Sequence, residues 1–337
     1  MLKRVTILIF LGIGLVSADA FQAGGVFLTI FPGAKATSLG AAFSSIADDG
    51  TASYYNPGAM AEFKHAEFSF IHAPWLRALA PDMYYEFLGW VIPTRTGVFG
   101  GHIIYSTYGI FEAINNENQL CGKFRPYETA IELAYASKFT SDLDVGINVK
   151  FIHSFLASPE VLECASQGEV QSGGSASSFA FGGGILFTPY HGRLRIAAVV
   201  DNIGKSLVYT EGGEENPLPR LLRLGVSFRP VWGKIHKLLF TFDVNKILVG
   251  IQQDYNEKGL SYVLNEAWKH AGVEYTFYNM ISLRVGYFYD KYGWRKGLTF
   301  GGGVRFKNFQ LDIADDSKIY DFEESSNRRF SITYILK

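Results

Sequence analysis

From Ala66 to the C-terminus, large apolar residues tend to occupy every second position, with small, polar or charged residues between them. Successive side chains of a β-strand point to opposite faces, so a period of two is typical of strands with one apolar and one polar face. We count about fourteen such segments. The pattern is clearest in residues 222–229, 270–277 and 281–289. The sequence therefore predicts an all-β chain.

The connections between these segments distinguish a membrane barrel from a soluble sandwich, whose strands also alternate. Very short connections lie at Thr140-Ser141, Pro189 to Gly192, Tyr278-Asn279 and Lys307-Asn308. Long polar connections lie at Ser106 to Pro126, Ser154 to Ser175, Gly204 to Pro219, Leu248 to Glu266 and Ser317 to Ser326. Short and long connections alternate in outer-membrane barrels, where tight turns face the periplasm. We expect an antiparallel up-and-down transmembrane barrel with an even number of strands.

The composition restricts the class of protein to which the chain can belong and the partners that it can bind. Although 48% of the residues are hydrophobic and the mean hydropathy is +0.08, no apolar stretch beyond the N-terminal segment reaches the roughly 20 residues of a spanning helix. The 28 Phe, 19 Tyr and 36 Gly suit pleated surfaces and aromatic girdles. The net charge of -1 argues against nucleic acid, which needs a concentrated basic face. Outer-membrane lipid is the expected partner.

The first 20 residues have the features of an export signal. Lys3 and Arg4 precede an apolar run from Val5 to Val16, and Ala18-Asp19-Ala20 provides the small residues that signal peptidase reads. The alternative is a membrane anchor, but the run is too short to span a bilayer. We therefore predict cleavage before Phe21 and location in the outer membrane of a diderm bacterium.

Residues 21–65 do not alternate and are rich in Gly, Ala and Ser, so they predict an element separate from the barrel wall of residues 66–337. Asp48 and Asp49 are placed to cap a short helix over Thr51 to Tyr55. Asn56-Pro57 reads as an N-cap followed by proline at the first position of a second helical turn. A compact pair of helical turns is expected.

Three blocks of this segment occur in order: residues 27–36 (FLTIFPGAKA), 39–42 (LGAA) and 47–61, the last containing the Asp pair and Tyr-Tyr-Asn-Pro. Together they resemble the PorV/PorQ branch of the FadL-like outer-membrane proteins, which includes uncharacterised spirochaetal proteins. Residues 218–225 (LPRLLRLG) are similar to a strand-opening motif of that branch. The resemblance implies a fourteen-stranded barrel whose N-terminal hatch plugs the lumen. The hatch motif would comprise Gly40, Asp48, Asp49, Tyr54, Asn56 and Pro57.

The sequence departs from this family pattern at two points. The family pattern has an Asn-Pro-Ala box, but here Gly58 follows Asn56-Pro57 in place of Ala. The chain also ends on Lys337 instead of an aromatic residue. The second departure weakens the usual barrel-assembly signal. The last segment nevertheless keeps the alternation of a closing strand at Phe330, Ile332, Tyr334 and Leu336.

Charged residues mark the face of each strand that avoids lipid, because a charge at the bilayer midplane costs about 2–4 kcal/mol. The lumen-facing candidates are Arg223, His270, Glu274, Arg284 and Arg305. The alternative for each is a solvated or mutually paired interior position without a ligand. Their mixed signs argue against a strongly ion-selective pore.

No motif predicts catalysis, a metal or a cofactor. The Gly182–Gly184 and Gly301–Gly303 triplets lack the helix and lysine of a phosphate loop and suggest curvature or close packing against the hatch. The seven His are scattered. Cys121 and Cys164 lie in two long loops on one rim, where a disulfide would tie the loops together. The acidic stretch of Asp315, Asp316, Asp321, Glu323 and Glu324 fits a solvated loop or a cation site.

Three functions stay open at this stage. The barrel would admit a hydrophobic small molecule with the hatch as its gate, or serve secretion-system proteins as an accessory, or act as a structural or adhesive surface barrel. The loops are mostly polar, apart from an amphipathic stretch at Tyr255, Leu260, Tyr262, Val263 and Leu264. The sequence does not choose among these functions or define the oligomeric state.

Overall fold

A computed structural model describes residues 23–74, 82–168, 173–210, 212–293, 295–317 and 328–337. The predicted signal peptide and the acidic residues Asp321, Glu323 and Glu324 lie outside the described residues. The strands are β1 (Ala66–Pro74), β2 (Tyr84–Pro93), β3 (Val98–Thr107), β4 (Phe111–Ile114), β5 (Leu120–Phe124), β6 (Tyr127–Lys138), β7 (Leu143–Phe155), β8 (Ser175–Phe187), β9 (Leu194–Gly204), β10 (Leu221–Trp232), β11 (His236–Ile247), β12 (Trp268–Phe277), β13 (Ile281–Asp290), β14 (Arg295–Phe306), β15 (Phe309–Asp315) and β16 (Arg328–Leu336). The helices are α1 (Ala34–Ser38), α2 (Ala52–Tyr55), α3 (Pro159–Ala165) and α4 (Ile251–Glu266).

Fourteen strands form a closed antiparallel barrel, and β4 and β5 form a separate hairpin in the connection between β3 and β6. The barrel closes where β1 pairs with β16, in a register that sets Ala66 opposite Leu336. Closure gives every wall strand two hydrogen-bonded neighbours, which lipid requires. The prediction of an all-β transmembrane barrel of about fourteen strands is confirmed.

The two rims differ in the length of their connections. At the short-turn rim, the connections include residues 139–142, 233–235, 278–280 and 307–308, and both ends of the barrel wall lie there. At the long-loop rim, residues 108–126, 156–174, 205–220 and 248–267 join the strands. Residues 291–294 are a short connection at this rim, so the alternation of lengths is not strict. By the rule for outer-membrane barrels, the short-turn rim is periplasmic.

The outer wall is apolar and the inner wall is polar or small. On β13, the outward side chains of Ile281, Leu283, Val285 and Tyr287 are exposed, whereas the intervening Arg284 and Phe288 are buried. Most of the exposed large apolar side chains lie on this outer surface. Such a surface suits lipid contact, and the charges are kept inside.

The N-terminal segment lies in the lumen as short helical turns, as predicted. A 3-10 turn covers Val26–Thr29, α1 and α2 follow, and a second 3-10 turn covers Pro57–Glu62. We call residues 23–31 the leading segment and residues 32–61 the hatch body. Every residue of the hatch body except Asp48 is buried. Its side chains form one hydrophobic core with the inner wall.

Wall glycines let the hatch body approach the barrel backbone. A Cβ at Gly286 of β13 would lie 2.0 Å from the Gly40 nitrogen, and one at Gly89 of β2 would lie 2.1 Å from the Gly50 carbonyl oxygen. Likewise, a Cβ at Gly184 of β8 would lie 2.2 Å from Asn56 Oδ1. Close packing against the hatch thus explains why β8 has glycine at this position.

Among the described residues, no helix has the length and apolar character needed to cross a membrane.

Candidate functional site: the plugged lumen and its mouths

Gly40 docks the hatch against β12, β13 and β14. Its positive φ of 66° favours glycine, and its amide donates to Thr299 Oγ1 at 3.0 Å. The Gly40 carbonyl oxygen lies 2.7 Å from His270 Nδ1. This residue of the predicted motif thus anchors the hatch to the wall on two sides.

The structure corrects the predicted capping role of Asp48. Its carboxylate pairs with Lys35 Nζ at 2.6 Å, and α2 begins only at Ala52, with Thr51 as its N-cap. Asp49 accepts hydrogen bonds from the amide of Thr51 at 2.9 Å and from its hydroxyl, but lies two residues before that cap. A buried lysine needs a counter-ion, which explains the different use of Asp48.

The ion pair within the hatch body shifts both pKa values. Burial by itself would raise the pKa of Asp48, but Lys35 outweighs it, and the pKa lies well below its usual range. Burial would lower the pKa of Lys35, yet Asp48 holds it above the usual value. For Asp49, burial prevails and the pKa is raised. The first two groups therefore remain charged at neutral pH.

Tyr54 and Asn56 join the hatch to distant parts of the chain. The Tyr54 hydroxyl donates to the Leu28 carbonyl oxygen at 2.9 Å. Asn56 accepts from the Gly58 amide at 2.9 Å and donates to the carbonyl oxygens of Ser44 and Ile185 at 3.0 and 3.1 Å. Asn56 is also the N-cap of the second 3-10 turn, with Pro57 at its first position, as the sequence predicts.

All five lumen-facing candidates lie on the inner wall, but they belong to separate groups. Arg223 donates from Nη1 to the Tyr54 carbonyl oxygen at 3.0 Å, with its guanidinium 4.9 Å from the Tyr54 ring centre. Arg284 pairs with both Glu274 and Asp312. The remaining two are His270, which holds Gly40, and Arg305, which donates to Gln310 Oε1.

Sequence reasoning missed a buried polar network on β6, β7 and β9. Lys150 Nζ lies 3.1 Å from Asp201 Oδ2, 2.8 Å from Asn202 Oδ1 and 3.3 Å from Glu132 Oε2. A bulge in the pairing of β8 with β9 turns both Asp201 and Asn202 inward. Glu132 in turn contacts His102, whose Nδ1 is 2.9 Å from Ser53 Oγ of the hatch.

The alternation in the sequence could have predicted part of this network, because it places Glu132 and Lys150 among the inward-facing positions of their segments. The bulge breaks that period at Asp201. Arg223 Nη1 lies 3.8 Å from Asp201 Oδ2, so two cations, Lys150 and Arg223, balance the two carboxylates. The network therefore ties the hatch to the wall and provides no excess charge for an ion-selective pore.

Two adjoining cavities of about 210 and 230 Å³ open at the long-loop rim, and we call them the mouth cavities. Val26 and Thr29 of the leading segment line both of them, as does Arg295 of β14. The leading segment therefore separates two spaces, each large enough for a molecule of about the size of benzene.

The first mouth cavity has an apolar, aromatic lining. Phe31 packs edge-to-face with His270 and Phe288, at ring-centre distances of 5.3 and 6.0 Å, and with Trp268 at 6.0 Å. The Arg295 guanidinium lies 5.0 Å from the Trp268 ring centre and pairs with Asp290 at 2.8 Å.

The other cations at this mouth are also paired. Arg329 pairs with Asp316 at 2.8 Å, and Lys246 pairs with Glu266. Burial raises the pKa of Asp316 against the effect of Arg329, and burial likewise raises that of Glu266. Because each cation has an acidic partner, the mouth favours an uncharged ligand over an anion.

The long loops above the mouth are braced. Cys121 of β5 and Cys164 of α3 form a disulfide, so the hairpin and the helix of the next long loop are joined. The amphipathic stretch predicted in residues 255–264 lies in α4, where Tyr255, Leu260 and Leu264 are exposed and Val263 is buried.

The acidic stretch predicted before β16 is used for ion pairs where it is described. Asp315 lies 3.7 Å from Arg328, and Asp316 pairs with Arg329, which also donates to the Phe31 carbonyl oxygen. In the described part of the chain, no group of three or more His, Cys, Asp or Glu residues is arranged to hold a metal ion.

A closed fourteen-stranded barrel filled by its N-terminal segment defines the class of hatch-plugged outer-membrane barrels. The Pseudomonas putida toluene transporter TodX superposes with a TM-score of 0.51 at 13% identity, covering 85% of this chain and 92% of TodX. The monoaromatic hydrocarbon channel CymD superposes with a TM-score of 0.52 at 12% identity, covering 90% of this chain and 97% of CymD. At these identities the likeness shows the fold alone.

The family model of the type IX secretion system protein PorV matches residues 17–254. The match spans more than half of the chain, so the chain belongs to the PorV family, and the resemblance predicted from the hatch motif is confirmed. Among curated protein sequences, none matches significantly.

Proposed function

We propose that this protein admits a small hydrophobic molecule at the external mouth of the barrel and that its hatch gates the passage. The mouth cavities carry this proposal, because they are lined by Phe27, Ile30, Phe31, Trp268 and Phe288 and are divided by the leading segment of the hatch. A concave, mostly apolar space with a few polar groups is the usual form of a small-molecule site.

The paired charges at the mouth make an uncharged aromatic compound the best candidate ligand. Arg295 and Arg329 each hold a carboxylate, so an anionic ligand would have to displace Asp290 or Asp316. The relatives TodX and CymD are described as a toluene transporter and a monoaromatic hydrocarbon channel. We extend that ligand class to this chain, and place it in the outer membrane of a diderm bacterium with lipid as its surroundings.

Thermal unfolding of the purified protein in amphipol, with and without toluene, tests the binding step. A ligand that binds only the folded state raises the unfolding midpoint. We expect toluene to raise the midpoint of the wild type and Val26→Trp to abolish the shift, because Val26 borders both cavities. Val208→Trp is the matched control, on an exposed loop residue outside both linings, and should keep the shift.

Planar bilayers test the gate. Removal of residues 23–61 should convert a silent barrel into a leaky pore, because the hatch body fills the lumen. Folding of the deleted protein is checked by its heat-modifiable electrophoretic mobility. Unchanged conductance in a folded deletion variant would count against gating by the hatch.

A second candidate is an accessory role in protein secretion. It is favoured by the family match and by the exposed Ile114 and Leu120 on the disulfide-braced hairpin and Ile110 just before it, in a long loop beyond the strands of the barrel wall. Ile114→Asp combined with Leu120→Asp should then release a protein that co-purifies with the wild type from gently solubilised membranes. Val208→Asp should retain it.

A structural or adhesive barrel is the remaining alternative. It predicts neither a toluene-induced shift nor a co-purifying protein that depends on the hairpin. Binding of the intact protein to surface or matrix ligands, measured with long-loop variants, distinguishes this alternative from the other two.

A further inference from the structure

A polar cavity of about 120 Å³ lies inside the short-turn rim, and we call it the basic vestibule. Strands β10 to β15 form its wall, and Lys35 and Asp48 of the hatch body lie at its inner end. It is on the opposite side of the hatch from the mouth cavities. Its role is therefore independent of the function proposed for the mouth.

Two cations lie against one indole ring in this region. The Arg229 guanidinium is 4.2 Å from the centre of the Trp232 ring, and Lys237 Nζ is 4.5 Å from it. Lys237 is the cross-strand partner of Trp232, and a bulge between Phe228 and Val231 lies beside Arg229 on β10. Arg229 continues the inward alternation of Arg223, Gly225 and Ser227. A bulge commonly re-aims a side chain, and here it turns Trp232, which plain alternation would place outward, into the cavity lining.

Three cations of this region have no acidic partner. Within the described residues, Arg229, Lys237 and Arg305 form no ion pair, and the buried Nε of Arg229 has no hydrogen-bond partner. The Arg305 guanidinium donates to the neutral Gln310 side chain. Like charges held together in a partly enclosed space are unfavourable unless an anion compensates them.

The carboxylates near the vestibule are already engaged. Asp48 is paired with Lys35, while Glu274 and Asp312 both contact Arg284. Among the described residues that line the cavity, four basic side chains face two acidic ones, a surplus of two positive charges. The basic residues are Lys35, Lys237, Arg284 and Arg305, and the acidic residues are Asp48 and Glu274.

We propose that the basic vestibule binds a phosphate group, presented from the periplasm as inorganic phosphate or as a phosphate monoester. A phosphate carries a charge of about -1.5 to -2 at neutral pH, which matches the surplus, whereas a carboxylate would neutralise only half of it. Guanidinium groups also suit phosphate oxygens because they donate along two parallel N–H bonds. Arg305 and Lys237, which line the cavity, provide such contacts, and Arg229 adds positive charge beside it.

Isothermal titration of the full-length mature protein in detergent tests this site, with sodium phosphate as the probe at constant ionic strength. We expect saturable binding. Lys237→Gln and Arg305→Gln should each weaken it about tenfold or more, because each removes one charge-assisted contact. Lys234→Gln is the matched control, since this lysine lies in the adjoining turn, is exposed and does not line the cavity.

Fluorescence provides a second measurement that does not depend on the charge variants. Phosphate drawing Arg229 and Lys237 away from the Trp232 ring should change the emission of the wild type, and Trp232→Phe should lose that change. Glucose 6-phosphate separates the two sources: binding with similar affinity supports a site open to monoesters, and rejection restricts it to inorganic phosphate.

The proposal is overturned by absence of binding at millimolar phosphate, by equal affinity for acetate, or by full binding in folded Lys237→Gln and Arg305→Gln proteins. None of these outcomes bears on the toluene-induced shift at the opposite mouth. The two proposals therefore fail separately.

Discussion

The leading segment and the body of the hatch are continuous in sequence but are held in different ways. In residues 23–31, most side chains are at least partly exposed and border the mouth cavities. In residues 32–61, only Asp48 escapes burial, and wall glycines bring the two backbones into contact. The leading segment alone separates the two mouth cavities, whereas the side chains of the body fill the lumen.

Few hydrogen bonds tie the leading segment to the rest of the chain, although Phe27 and Leu28 are buried in the core. The Gly24 amide donates to the Pro217 carbonyl oxygen at 2.8 Å, Tyr54 reaches Leu28, and Arg329 reaches Phe31. Local opening costs less where fewer buried contacts must be broken. The following four predictions test this difference, from the largest expected effect to the smallest.

Among substitutions that add one methyl group to a wall glycine, Gly286→Ala should reduce the stability of the protein most. The added carbon would lie 2.0 Å from the Gly40 nitrogen, so the hatch body or β13 must shift. We expect a loss of about 3 kcal/mol in the free energy of unfolding, measured by urea titration of the protein in detergent. Gly302→Ala, whose nearest atom would be 3.2 Å away, is the control and should lose far less.

Asn56→Leu removes the side chain that joins the hatch body to β8. It leaves the carbonyl oxygens of Ser44 and Ile185 without this donor, so we expect a loss of about 2 kcal/mol. Asn265→Leu, on the exposed face of α4, is the comparison and should be close to neutral. Equal stabilities of the two variants would show that the hydrogen bonds of Asn56 do not hold the hatch body.

The Lys35–Asp48 pair makes the hatch body sensitive to acid. The folded pKa of Asp48 lies below its unfolded value, so the pair stabilises the folded state above about pH 4 and this stability is lost as pH falls through the folded pKa. Solvent reaches the Asp48 side chain, which is 40% exposed, so we expect only about 1 kcal/mol.

The measurement is the difference in unfolding free energy between the wild type and Asp48→Asn at pH 7 and at successively lower pH. The difference should shrink as the solution is acidified, because protonation removes the same charge in the wild type. A constant difference at every pH would exclude the ion pair as its cause.

Tyr54→Phe tests the leading segment and should have the smallest effect on global stability, below about 1 kcal/mol. It removes the hydrogen bond to the Leu28 carbonyl oxygen while keeping the ring in place. Hydrogen exchange followed by mass spectrometry should show faster exchange in residues 24–31 and unchanged exchange in residues 34–61. Faster exchange throughout the hatch would mean that the two parts open together.

The sequence predicts local patterns better than it predicts contacts between residues that are far apart in the chain. The N-cap role of Asn56 and the first helical position of Pro57 depend on adjacent residues, so they follow from the order of residues alone. The ion-pair role of Asp48 does not, because its partner Lys35 lies 13 positions away, in α1. The network of Glu132, Lys150 and Asp201 joins β6, β7 and β9, and its geometry depends on a bulge that the alternation cannot reveal.

By itself, the amino-acid sequence determined that this protein is a barrel with one face of each strand in lipid. The period of two sets which residues face outward, and a lipid environment leaves backbone groups no partners except those of a closed sheet. Only the tertiary structure decided which glycines of the wall meet the hatch, which inward charges pair and where cavities remain. Those features depend on strand register and on how the hatch lies in the lumen, and both bring together residues that are far apart in the chain.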